Sequence, residues 1–111
     1  MSWALLLFSA TEKIPSNLDF DDAILKPIFF SNILENSFNE IVKYENRREI
    51  KGDNYSIDFF VDEEPTGVKM LNVHNAKGLI AIIKLAKENK WQVFDTSFGD
   101  FIDLSKPAKH A

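Results

Sequence analysis

The chain of 111 residues contains no cysteine. That absence excludes disulfide frameworks, thiolate zinc sites and cysteine nucleophiles together, and it fits a reducing, cytoplasmic setting. Histidine is nearly absent too, with only His74 and His110 in the chain. No histidine cluster can therefore form, and a Ser-His-Asp site would have to be built around His74 without any G-x-S-x-G turn. The four glycines, Gly52, Gly67, Gly78 and Gly99, cannot be written as G-x-G-x-x-G or as a Walker loop, so nucleotide cofactors lose their usual motif. Neither Asp19-Phe20-Asp21-Asp22 nor Asp53 to Asp58 has the alternating oxygen ligands around a glycine that a calcium loop requires. No apolar run approaches the roughly 20 residues of a membrane-spanning helix. Met1 to Ala10 imitates a signal peptide but has no Lys or Arg before its apolar run, and it reads as a buried strand. The expectation is a chain with no catalytic site, no cofactor, no metal and no membrane partner.

Basic charge is in short supply. Lys plus Arg number 13 against 17 Asp plus Glu, a formal net of −4. The only dense basic group is Arg47-Arg48 followed by Lys51. Phosphate backbones are bound through basic surface, so nucleic acid is not the expected partner. An acidic chain suits a basic protein partner, since complementary fields speed encounter, although the same charge also serves solubility. One enzyme-like signal remains: Glu49-Ile50-Lys51 matches the E-x-K half of a metal-dependent nuclease site, which an upstream acid such as Asp22 would have to complete. The tripeptide is common by chance, and an acidic surface opposes a polyanionic substrate.

What the chain does have is apolar bulk, 45% hydrophobic residues including ten Phe, sufficient for one core without metal or disulfide. Residues 1–105 read as a single α+β domain and 106–111 as a frayed tail with too little apolar surface to hold itself down. Trp3 to Phe8 reads as a central strand, apolar at every position. A loop covers 11–26. Apolar residues from Phe30 to Val42 recur at three- and four-residue spacing, predicting a helix over 27–44. A polar bend over 45–54 carries the turn signal Gly52-Asp53-Asn54.

Tyr55 to Asp62 alternates as a half-buried strand, Glu63 to Gly67 forms a hairpin loop, and Val68 to His74 returns. Asn75 caps a second helix that ends near Asn89. Trp91 to Thr96 is the last main strand, and Gly99-Asp100 turns into 101–104. The order βαββαβ predicts a ferredoxin-like domain: a four-stranded antiparallel sheet, two helices on one face, and a short C-terminal hairpin. The first and third strands would be central, with the other face of the sheet open to a partner.

Phe60 falls on the same strand face as Asp58 and Asp62, with Glu63 and Glu64 next in sequence. An aromatic ringed by charge is a common interface anchor, so these five residues are the candidate partner-binding set. The alternative is that Phe60 packs under the tail or the terminal hairpin. RNA-binding sheets also display aromatics, but they surround them with basic residues.

Three segments, Trp3-Ala4-Leu5-Leu6-Leu7-Phe8, Arg48-Glu49-Ile50 before Tyr55-Ser56-Ile57-Asp58-Phe59-Phe60, and Trp91-Gln92-Val93-Phe94-Asp95-Thr96 leading to Ile102-Asp103-Leu104, resemble immunity proteins of contact-dependent growth inhibition and other polymorphic toxin systems. The resemblance implies a non-enzymatic protein that binds one cognate toxin domain, often a nuclease, and blocks its active site or groove. Acidic side chains would then stand in for phosphates against a basic nuclease. The similar proteins run further after Leu104. A rival expectation is a small-molecule-sensing regulatory domain of the βαββαβ kind, with its ligand at a strand–helix junction.

Overall fold

The computed structural model describes residues 2–105. Strand β1 (Ser2–Phe8) points Trp3, Leu5 and Leu7 to one side, where all three are buried. An irregular segment follows, containing one 3₁₀ turn at Asp22–Ile24 in which the Asp21 carboxylate accepts from the Ala23 N–H at 2.9 Å. Helix α1 (Phe30–Ser37) is shorter than the predicted helix over 27–44. Ile41 and Val42, whose spacing reads as a helix face, instead lie in strand β2 (Ile41–Lys43). Both are β-branched and stiff at χ1, which favours the pleated alternative.

The polar bend over 45–54 is likewise corrected. Arg47–Gly52 forms strand β3, paired antiparallel with β2 so that Ile41 faces Ile50. Its charges hide the strand from a hydropathy reading. Ile50 is the one wholly buried position, and Arg48 is matched across the layers by Glu35 of α1 at 3.6 Å. Strand β4 (Tyr55–Phe60) follows a tight turn at Asp53-Asn54, with Asn54 at φ 65°. Gly52 is required there, because the Tyr55 ring lies 1.9 Å from where a Cβ would stand.

Strand β5 (Val68–His74) leads directly into α2 (Ala76–Asn89), capped by the Asn75 side chain on the Lys77 N–H at 3.2 Å. Strands β6 (Gln92–Asp95) and β7 (Asp100–Phe101) close the chain as a hairpin, with Gly99 at φ 70° in its turn. The described residues form one seven-stranded sheet in the order β2-β3-β4-β5-β1-β6-β7, every pairing antiparallel. The expected count of four strands is therefore too low. The four anticipated strands are adjacent in the middle as β4-β5-β1-β6, with β1 and β5 interior as expected. The hairpin of β2 and β3 extends one edge, and β7 extends the other.

Both helices serve a single core on one sheet face, where Phe30 and Leu34 of α1 and Leu79 and Ile82 of α2 meet Leu5, Ile57 and Leu71. Fully burying each such side chain contributes roughly 1.5–3 kcal/mol. The opposite face is treated unevenly. Over its β1 and β6 part, residues of the segment 10–25 pack on Phe8 and Phe94 in a second apolar cluster. Beyond that segment no described element covers this face, and Phe60 and Met70 are half exposed there. The tail 106–111, with His110, lies outside the described residues.

Candidate binding face

Strand register decides which side chains share the bare half-face. Arg47 is opposite Phe60, Glu49 opposite Asp58 and Lys51 opposite Ser56 between β3 and β4; Asp58 is opposite Asn72 between β4 and β5. Leu6 of β1 is opposite Met70 and, on its other side, Phe94. Continuing the register of β4 and β5 by two residues sets Phe60 and Met70 at the same level. They are 50% and 52% exposed, unusual for large apolar side chains on interior strands. Phe60 does not pack beneath the terminal hairpin; the tail, the other half of that alternative, lies outside the described residues. Met70 was not singled out in the sequence, although the alternation of β5 places it outward.

The acids around Phe60 do not form the open ring the sequence predicts. Asp58 accepts from the Arg47 guanidinium at 3.2 Å, and the His74 Nε2 lies 3.8 Å from its other oxygen. The Glu64 side chain is only 3% exposed, so its place among the partner-binding residues is corrected. Its carboxylate accepts from the Ser31 N–H at 3.0 Å and the Ser31 hydroxyl at 2.7 Å, satisfying donors at the start of α1 from a distant loop. It also pairs at 2.7 Å with Lys69, whose side chain is 1% exposed.

The three donors of the Lys69 ammonium all find acceptors, in the Phe60 carbonyl, Glu63 and Glu64. Lys69 occupies an inward position of β5, and a lysine at such a position needs nearby carboxylates; Glu63-Glu64 is the matching signal in the sequence. Burial opposes ionisation of Glu63, yet the Lys69 hydrogen bond, helped by its own backbone and by Asp62, outweighs it and holds the carboxyl below its ordinary value. Glu63 thus faces solvent on one side and the lysine on the other. Asp62 touches this knot only through Glu63 and is the predicted acid that stays exposed at its edge.

The E-x-K residues Glu49 and Lys51 sit 3.7 Å apart on β3. Asp22 lies on the covering segment, on the far side of β4 and β5 from β3 in the sheet order, so it does not complete that site. Among the described residues no group of three or more His, Asp or Glu side chains is placed to hold a metal ion. At the junction of β5 and α2, where a sensor domain would hold its ligand, there is an open groove of about 700 Å³ lined by Ser2, Lys51, Tyr55, Ser56, His74 and Asn75. Two of its polar groups are engaged, Lys51 by Glu49 and Asn75 by the helix cap. No helix among the described residues is long and apolar enough to cross a membrane. No protein-family model, curated protein or solved structure matches this chain.

Proposed function

We propose that the chain is a protein-binding domain of the immunity type, one that neutralises a basic, nuclease-like toxin domain by seating it on the bare half of the sheet. One observation carries the reading. The chain buries the strand aromatics Trp3, Phe8, Phe59 and Phe94, yet leaves Phe60 and Met70 half exposed on interior strands. A flat apolar centre of this kind, rimmed by paired polar groups, has the anatomy of a protein interface core. Steering of a basic partner falls to Asp62 and to Asp19, Asp21 and Asp22 on the covering segment, all exposed, rather than to the full ring of acids. The supporting frame is a ferredoxin-like core of β1, β4, β5 and β6, widened at both edges. Binding a toxin here needs no catalytic group on this chain.

The test is protection. The neighbouring gene is read first; a large secreted protein with a variable C-terminal domain there supplies the toxin domain for co-expression, and growth is scored. Wild-type protein should rescue growth, whereas Met70→Asp should fold normally and fail. Rescue undiminished by Met70→Asp and by Phe60→Asp would remove this face from the mechanism. Cleavage of RNA or DNA by the purified chain, lost in Glu49→Ala, would replace the binding reading with an enzymatic one.

A further inference from the structure

We infer that the buried Lys69 is a positioning residue of the binding face: from the core side of the sheet its ammonium holds the Phe60 carbonyl, and so sets the exposed ring in place before a partner arrives. The inference deepens the binding reading proposed above and rests on it for its use, although it is read on the free chain. Phe60 is the last residue of β4, and its two sides are held differently. Toward β3 the ladder runs through the pair Arg47 and Phe60, and the Val61 N–H just beyond donates to the Asn46 carbonyl at 2.9 Å. Toward β5 the ladder stops at Asp58 and Asn72. Backbone groups alternate sides along a strand, so a Val61 N–H directed at β3 puts the Phe60 carbonyl on the β5 side, where pairing has ended. There it accepts from Lys69 Nζ at 2.5 Å.

The ammonium is itself fixed. Glu64 holds it at 2.7 Å and is in turn held by the Ser31 N–H and hydroxyl at the start of α1, while Glu63 supplies the remaining acceptor. An apolar side chain would fill an inward strand position without desolvating a charge, so core packing alone gives no reason for a lysine there. Aiming a donor at the carbonyl of a strand end does. An aromatic anchor whose backbone is already fixed in the free protein loses less conformational freedom on binding, which is the gain from preorganisation. Without Lys69 the end of β4 would be held on its β3 side alone, and Phe60 would meet a partner from a spread of positions.

Nuclear magnetic resonance of the full free chain tests this. The wild type should show a single χ1 rotamer at Phe60 despite the exposure of its ring. Lys69→Met removes the ammonium and keeps an unbranched stem, but it leaves the buried Glu64 without its cation. The double variant Lys69→Met with Glu64→Gln therefore decides the matter: it strands no buried charge, and the new amide oxygen can still accept from Ser31. In that variant the Phe60 couplings should average over rotamers. The Val61 amide should exchange about tenfold faster than the change in global stability accounts for. Val93→Ala, which removes core bulk on β6 away from the knot, is the control for destabilisation alone and should leave both readouts as in the wild type once global stability is allowed for. Rotamer averaging at Phe60 already in the wild type, or a double variant in which Phe60 and Val61 respond no more than in Val93→Ala, would overturn the inference. Both readouts are taken without a toxin, so a failure of protection would leave the positioning of Phe60 standing, and a failure here would leave protection untouched.

Discussion

The face of the sheet away from the helices has two halves that start from similar material and end differently. Over β1, β6 and β7, Phe8, Phe94 and Phe101 form edge-to-face and tilted ring contacts under Ile14 and Phe20. Over β4 and β5, Phe60 and Met70 have no such cover. The difference is made by polar anchors as much as by apolar content. The Gln92 side chain grips the covering segment twice, accepting from the Ile14 N–H at 2.9 Å and donating to the Glu12 carbonyl at 2.8 Å. Ser16 adds a 2.7 Å bond to Asp100. An irregular segment stays on a sheet when its backbone groups are satisfied there, and among the described residues no segment is anchored over Phe60 in this way. The acids divide in the same way: Glu64 is built into the frame, whereas Asp62 is left to solvent.

The largest expected effect belongs to the covered half. Phe8→Ala should destabilise the protein by about 3–5 kcal/mol in urea unfolding, the range for deleting a buried aromatic. A loss under about 1 kcal/mol would mean that the covered half is as loose as the bare one. Next comes the division among the acids. Glu64→Ala strands the buried Lys69 charge and uncaps α1, and should cost about 3 kcal/mol or more; Asp62→Ala should stay within about 0.5 kcal/mol. Equal costs would erase the distinction between them. Gln92→Ala should cost about 1–2 kcal/mol by leaving the Ile14 N–H without its partner. Faster amide exchange confined to 10–25 would identify the clamp, and exchange rising uniformly would deny it.

A smaller effect depends on pH. The folded-state pKa of Glu63 lies below its unfolded value, so its contribution is present above the ordinary carboxylate value of 4.5 and is lost as pH falls through the lower folded value. Unfolding free energy should therefore drop more steeply below that value in the wild type than in Glu63→Gln. Parallel curves for the two proteins would show that the Lys69 contact does not bias the Glu63 proton.

Much of the frame was legible in the sequence, and the misses share a cause. Continuous apolarity marked β1, strict alternation marked β4, and Asn75 marked the start of α2, because burial and capping act through local residue type. The β2 and β3 hairpin was missed. Only Ile50 is fully buried in that stretch, and Arg48 and Glu35 neutralise each other across a contact that sequence spacing does not reveal. The helix over 27–44 was overextended because Ile41 and Val42 fit a helical period and a strand equally well over so few residues. At the candidate site, Phe60 was placed correctly on its strand face. Glu64 was not, because whether an acid in a loop meets solvent or a buried lysine is a tertiary matter. Lys69, read with strand parity, was the available clue.

The smallest expected change in stability accompanies the most direct test. Phe60→Ala is compared with the wild type in two measurements: unfolding of the free protein, and the rate of dissociation from a toxin domain of the kind proposed above. If Phe60 is an anchor on a bare face, stability should stay within about 0.5 kcal/mol. Dissociation should quicken roughly 30-fold, equivalent to about 2 kcal/mol. A stability loss of about 3 kcal/mol with an unchanged dissociation rate would place Phe60 in the core and the interface elsewhere.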